Sequence, residues 1–178
     1  MENNTEINKS SLVNILTLRY DPSIKPNLLP KSHKDFSVVE SPVSIQDIDD
    51  SICGEMQNKL DSIRDKEISI ALSGGVDSTL VLASLRKIKP EKKIHAVSIK
   101  FANSVDETPT ASKIAEKFNA EYHIIHLENY LSELPKAISI IKLPFWDLHW
   151  YYVVKKAKTL SKMLISGDGG DELFAGYT

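Results

Sequence analysis

Two short stretches carry the residues best suited to chemistry, Ser73-Gly74-Gly75-Val76-Asp77-Ser78 and Ser166-Gly167-Asp168-Gly169-Gly170-Asp171-Glu172. In the first, consecutive glycines let main-chain amides approach an oxyanion, and Ser73 and Ser78 add hydroxyl donors. Asp77 alone would repel a phosphate. Its place in such a cradle points to a cation between carboxylate and phosphate, and Mg²⁺, which takes hard oxygen ligands, suits that role. The second stretch repeats the combination of glycines and acids, and the pair together reads as a magnesium-ATP site. For the first loop taken alone, a Gly-Gly turn with Asp77 and Ser78 capping a helix is the simpler alternative. The GK[ST] ending of a Walker loop, in which lysine balances the phosphate charge, is missing.

Each loop follows an apolar run, Ile68-Ser69-Ile70-Ala71-Leu72 in one case and Met163-Leu164-Ile165 in the other, so both sit where a buried strand ends. From Glu67 onward the pattern alternates: strand 67–72, helix 78–88 ending before Pro90, strand 94–101, helix 109–118 and strand 121–127. Thr108 is the expected cap of the second of these helices, with Pro109 in its first turn and Ala111, Ile114, Ala115 and Phe118 on its buried face. Pro135 and Pro144 break region 128–147 into a short helix and a loop. Trp150, Val153, Val154, Ala157 and Leu160 then form a helical face before the last strand. Tyr151 and Tyr152 beside Trp150 could line a base pocket, but aromatics at helical spacing are better read as core.

This order predicts an α/β fold, a doubly wound parallel sheet with helices on both faces, whose ligands bind beyond the carboxyl ends of the strands. Upstream, Ile45, Ile48, Ile52, Met56, Leu60 and Ile63 recur at steps of three and four behind Ser44 as N-cap and Asp47 in the first turn, an amphipathic helix. Cys53 beside that stripe reads as a buried structural thiol. Residues 1–43, with prolines at 22, 26, 30 and 42, show no sustained period and are expected to form an irregular N-terminal arm, leaving 44–178 as the nucleotide domain.

The 178 residues are 42% apolar and 26% charged with a net charge of −2, enough for one substantial core and without a polybasic face to hold nucleic acid. The lone Cys53 excludes an intrachain disulfide and a CxxC pair. No apolar stretch approaches the ~20 residues that span a bilayer, and the polar start is not a signal sequence, so a cytoplasmic protein is expected. His95, His123, His126 and His149 share no metal-binding spacing and fall on different elements, and no histidine metal site is expected.

The hexapeptide 73–78 resembles the pyrophosphate loop of the N-type ATP pyrophosphatases, a group that includes asparagine, NAD and GMP synthetases and several tRNA-modifying enzymes. The stretch Ser166-Gly167-Asp168-Gly169-Gly170-Asp171-Glu172-Leu173-Phe174-Ala175-Gly176-Tyr177 is similar to the asparagine synthetase signature, SGEGxDE followed by an apolar pair and GGY. Asp106-Glu107, Ala111, Ala115 and Tyr122-His123 fall as they do in that family. Leu18-Arg19-Tyr20-Asp21-Pro22 and Leu28-Leu29-Pro30-Lys31 are a weaker echo of its interdomain stretch. The resemblance implies ATP cleavage between the α and β phosphates, driven by attack of the aspartate side-chain carboxylate, and opening of the resulting adenylate by ammonia to give asparagine and AMP.

Carried over by position, the resemblance implies that Asp77 and Asp171 ligate magnesium and that Ser73, Gly75 and Ser78 hold the departing pyrophosphate. Ala71, Leu72 and Gly74 would belong to the same nucleotide site, with adenine near Ile99, Ser166 and Gly167. Asp168 stands where the family has a glutamate linked to proton transfer, one methylene shorter. Lys100, directly after Ile99 on the second strand, stands where the family commonly has a small residue; it could point to solvent or towards the phosphates, and a solvated lysine is the preferred reading. Glu2 stands where the glutaminase cysteine would be, so ammonia or a glutaminase partner is expected as nitrogen source. The end at Thr178, before the family's helical part with its phosphate-contacting lysine, suggests an incomplete domain, a nucleotide-binding fragment or one subunit of a larger assembly. Related readings are a β-lactam synthetase-like ligase acting on another carboxylate and, sharing only the first loop, a tRNA-modifying enzyme.

Overall fold

The computed structural model describes residues 8–18, 21–24, 33–35, 42–62, 66–102, 104–141 and 148–174. The chain divides into two compact units, Val43–Ser132 with His149–Thr178, and Met1–Pro42 with Glu133–Leu148. The smaller unit contains helix α1, Lys9–Leu18, where an irregular arm was expected. Its apolar residues Leu12, Val13, Leu16 and Leu18 are exposed, so α1 presents no continuous buried stripe of the kind that betrays a helix in sequence. Nearby, the Asp21 carboxylate accepts from Asn14 Nδ2 (3.3 Å), Ser23 N (3.0 Å) and Ser23 Oγ (2.7 Å).

In the larger unit, helix α2, Ile45–Asp61, opens with a reciprocal capping box: Ser44 Oγ accepts from Asp47 N (3.1 Å) and the Asp47 carboxylate accepts from Ser44 N (2.9 Å). The expected cap and first-turn acid are therefore both present. Cys53 is buried on this helix, while Ile63 lies outside the described residues. Then follow β1 Glu67–Ala71, α3 Val76–Ile88, β2 Lys93–Phe101, α4 Thr108–Lys117 and β3 Glu121–Leu127. After a 3₁₀ turn at Tyr130–Glu133 the smaller unit's α5, Leu134–Ile141, intervenes, and the larger unit resumes with α6 His149–Ala157, β4 Leu164–Ile165 and α7 Gly170–Phe174. Residues 142–147, which include Pro144, lie outside the described residues.

The strands form one parallel sheet in the order β3-β2-β1-β4. The expected α/β doubly wound fold is therefore present. On one face Ile68, Ile70 and Leu72 of the β1 segment meet Leu82 and Leu85 of α3, Leu60 of α2, and Ala111 and Ala115 of α4. Burying each such leucine or isoleucine contributes roughly 1.5–3 kcal/mol. Strand alternation turns Ser69, His95 and Val97 to the other face, covered by α6. Tyr152, Val153 and Ala157 are the buried residues of α6, while Val154, expected on its inner face, is half exposed. Of the aromatic pair, Tyr152 is core, and Tyr151, half-buried, meets it edge-on.

The tail of α3 is tied down by one side chain. Arg86 donates through Nε to Phe118 O (2.8 Å), through Nη1 to Pro90 O and Lys92 O (both 2.9 Å), and through Nη2 to Asn119 O (2.6 Å). Its planar fork thus joins α3 to the turn before β2 and the turn before β3.

Candidate active site

The first loop leaves the sheet still attached to its neighbour. Leu72 N donates to Val97 O (2.9 Å), and Leu72 O accepts from the buried Ser98 hydroxyl (2.5 Å). Gly74 then adopts φ +90°, a region that glycine enters without a Cβ penalty. A Cβ on Gly74 would lie 3.4 Å from Ala111 N and 3.5 Å from Glu107 O, so the loop rests on the beginning of α4.

Gly75 is the N-cap of α3 and provides no capping side chain. Its carbonyl accepts from Thr79 N (3.1 Å) and Thr79 Oγ1 (2.7 Å), which closes the first turn. Ser73 Oγ accepts from Gly75 N (3.2 Å) and lies 3.1 Å from Ser78 Oγ, which also accepts from Ser73 N at 3.3 Å. The two hydroxyls thus brace the turn, leaving first-turn amides of α3, which have no intrahelical acceptor, for an anion. Asp77 sits in the same turn, where the positive end of the helix dipole favours a carboxylate.

The second loop meets the first with almost no clearance. A Cβ on Gly167 would lie 2.7 Å from Ser78 N, 2.9 Å from Asp77 C and 3.0 Å from Ser78 Cα. A Cβ on Gly170 would lie 2.7 Å from both Cγ and Oδ1 of Asp77. At Gly167 the close atoms are backbone and demand glycine, whereas at Gly170 a side chain would displace the Asp77 carboxylate. Gly170 N donates to Gly167 O (3.3 Å), Gly169 has φ +96°, and Asp171 follows in the first turn of α7. Ser166 Oγ donates to Asp168 Oδ2 (3.1 Å), so the exposed Asp168 is held within its own loop.

Of the residues expected at the site, Asp77 and Ser78 are in direct register with Gly167 and Gly170. Ala71 ends β1, and Leu72, Ser73, Gly74 and Gly75 form the turn. Ile99 lies two residues beyond Val97, the last partner of β1 in β2, at the same end of the sheet. Ala175–Tyr177, the end of the signature, lie outside the described residues.

Two expectations are corrected. Lys100 is not a solvated lysine: Nζ donates to Ser104 O (2.7 Å) and lies 3.9 Å from Asp106, because the carbonyl and carboxylate of its own loop are within reach. Thr108 is not the cap of α4 but its first residue, and Glu107 is the N-cap. Asp106 instead accepts from Thr108 N (3.1 Å) and Oγ1 (2.7 Å), bonds that hold its carboxyl below the usual carboxylate range. The contact of α4 with Gly74 had no sequence signal beyond the glycine itself.

Asp77 and Asp171, in the first turns of α3 and α7, carry carboxylate oxygens, the donor type a hard divalent cation takes.

A four-stranded parallel sheet in the order β3-β2-β1-β4, with a glycine cradle beyond β1 and an acidic loop beyond β4, is an α/β fold shared with solved structures. The NH3-dependent NAD synthetase of Campylobacter jejuni superposes with a TM-score of 0.55 at 21% identity, covering 77% of this chain and 62% of that one. The NMN synthetase of Francisella tularensis gives 0.54 at 18% identity, covering 77% and 60%. Within that architecture the chain belongs to the asparagine synthase family, whose model matches residues 58–178. Asparagine synthetase [glutamine-hydrolyzing] 1 of Bacillus subtilis is 29% identical over 144 residues, covering 75% of this chain and 23% of that protein. Asparagine synthetase [glutamine-hydrolyzing] of Rattus norvegicus is 32% identical over 127 residues, covering 64% and 22%. The chain thus spans about a quarter of the length of these curated relatives. Among the described residues no helix is long and apolar enough to cross a membrane.

Proposed function

We propose that this chain binds Mg-ATP between its two loops and carries the adenylating step of an AMP-forming carbon-nitrogen ligase of the asparagine synthetase type. The observation that carries the reading is the contact of Gly167 and Gly170 with Asp77 and Ser78, which joins the pyrophosphate cradle to the family's acidic loop. Asp77 and Asp171 would hold magnesium, which supplies charge neutralisation for the β and γ phosphates. The bracing of Ser73 and Ser78 keeps the amides of α3 aimed at the same oxygens before substrate arrives. The aspartate side-chain carboxylate attacks the α-phosphorus, the bond to the bridging oxygen breaks, and pyrophosphate leaves with the electron pair. Ammonia, free or from a glutaminase partner, then displaces AMP from the β-aspartyl adenylate, and Asp168, one methylene shorter than the family's glutamate, would take its proton. The substrates and the site suit a cytoplasmic enzyme.

The test is incubation of the folded chain with ATP, Mg²⁺, aspartate and ammonia, and measurement of AMP, pyrophosphate and asparagine. Aspartate-dependent AMP in equal amount to asparagine supports the proposal. Pyrophosphate release with another carboxylic acid in place of aspartate overturns the substrate and keeps the adenylating class. Nucleotide binding lost in Asp77→Asn and Asp171→Asn, with no turnover on any acid, reduces the chain to a nucleotide-binding module. Binding unchanged in both variants overturns the site itself.

A further inference from the structure

A second constellation lies at the opposite, amino-terminal end of the sheet. The register pairs His95 of β2 with Glu121 of β3, and His123 follows Glu121 by two residues, so all three share one face. His95 Nδ1 is 3.0 Å from His123 Nε2. One Glu121 oxygen is 3.7 Å from His95 Nδ1 and the other is 3.6 Å from His123 Nε2. Two ligands held at ~2.0–2.1 Å in a tetrahedral shell stand about 3.3 Å apart. One ligand atom from each of the three residues lies within 4.8 Å of the other two, so rotations of the rings and of the carboxylate can bring the three to one centre.

The remaining surroundings have the form of an outer coordination shell. Glu67, at the start of β1, places Oε2 3.4 Å from His95 Nε2, on the far side of the ring from His123. A proton on Nε2 directed at that carboxylate leaves the Nδ1 lone pair facing His123, the arrangement in which a carboxylate fixes the tautomer of a ligating histidine. His95 is almost wholly buried at 2% exposure, His123 is half-buried, and Glu121 is exposed, leaving one side of the cluster open to solvent. Lys93 Nζ pairs with Glu121 at 3.0 Å and reaches Glu67 at 3.7 Å, so an ammonium already balances the two carboxylates and is the group a cation must compete with.

We propose that His95, His123 and Glu121 form a binding site for a divalent transition metal of the zinc class, with Glu67 as the positioning residue for His95 and the fourth coordination position open to water. Two imidazoles and one carboxylate favour Zn²⁺ or Co²⁺ over Mg²⁺, which takes oxygen ligands. The site is separate from the nucleotide loops, which follow β1 and β4 at the carboxyl end of the same sheet.

The test uses the full chain without a polyhistidine tag, titrated with Zn²⁺ by calorimetry and with Co²⁺ by its visible absorption, in the absence of nucleotide. One equivalent of Zn²⁺ per chain and a tetrahedral cobalt spectrum are expected. His123→Gln and Glu121→Gln should each weaken Zn²⁺ at least tenfold. Glu67→Gln should weaken it roughly 10–100-fold, and the conservative Glu67→Asp should recover part of that affinity. Asp77→Asn and Asp171→Asn should leave zinc unaffected, which separates this site from the magnesium site. Wild-type chain that binds no stoichiometric zinc overturns the proposal, as does zinc binding unchanged in folded His123→Gln and Glu121→Gln, the result expected if the histidines form only a hydrogen-bonded core pair.

Discussion

Replacing Gly167 by alanine places one methyl group between the two loops and tests whether they meet as described. The built Cβ is 2.7 Å from Ser78 N, whereas ordinary contact begins at 3.4 Å, so the loops must part by about 0.7 Å. The atoms in the way, Ser78 N, Asp77 C and Ser78 Cα, are all backbone in the first turn of α3 and cannot swing aside. Overpacking of this kind costs ~1–3 kcal/mol. The lost flexibility of glycine in the unfolded chain returns ~0.4–1 kcal/mol, leaving a net destabilisation of order 1–2 kcal/mol.

The functional effect should be larger than the loss of stability suggests, since a displacement near 1 Å at a catalytic site can cost on the order of 10²-fold. Gly167→Ala is expected to weaken Mg-ATP at least tenfold in a calorimetric titration while lowering the melting temperature by a few degrees. Gly170→Ala should separate the two effects, because its added methyl meets the Asp77 side chain, which can rotate away. That variant should melt close to wild type and lose mainly the magnesium-dependent part of nucleotide affinity. Gly54→Ala on α2, where a Cβ meets nothing within 4 Å, is the control and should gain ~0.5–1 kcal/mol. Gly167→Ala with wild-type affinity and an unchanged melting curve would refute the close approach of the loops.

Ser98→Ala removes the buried hydroxyl donated to Leu72 O and should cost ~1–3 kcal/mol in denaturant unfolding, with faster amide exchange at the start of the first loop. Arg86→Lys keeps the charge but cannot reach four carbonyls on two turns, and a loss of roughly 1–3 kcal/mol is expected in the same assay. Asp21, whose pKa is lowered to about 2 by the nearby Ser11 hydroxyl and by its bonds from Ser23 and Asn14, should titrate by NMR well below an unfolded aspartate. Its folded value is depressed, so its stabilising contribution is present above the unfolded value near ~3.9 and is lost as pH falls through about 2. Asp21→Asn should abolish that acid-side dependence.

The parts of the fold governed by local chemistry were legible in the residues. Ser44 and Asp47 form their reciprocal cap because both partners lie within one turn, and the run Ile68–Leu72 reads as buried because all its residues but Ser69 are apolar. Helix α1 was not legible, since propensity without a buried face leaves no period to detect. The choice of Glu107 over Thr108 as a cap depends on Asp106, which captures the threonine hydroxyl. At the nucleotide loops the motifs named the residues, but the clearance at Gly167 and Gly170 arises from how β4 pairs with β1. His95 and His123 stand 28 positions apart and meet only through the β2–β3 register, which no local spacing encodes.

Arg86 gives α3 the mechanics of a cantilever. Its tail is clamped to two turns, while its head, carrying Asp77 and Ser78, is restrained by the neighbouring glycine loop. A stiff rod held at one end transmits a change at the other as a small rotation about the clamp. Charge arriving or departing at the head therefore acts with a lever arm of the whole helix, about 20 Å for thirteen residues. Loosening the guanidinium clamp should blur the alignment of the amides facing the phosphates, although no atom of Arg86 belongs to the site.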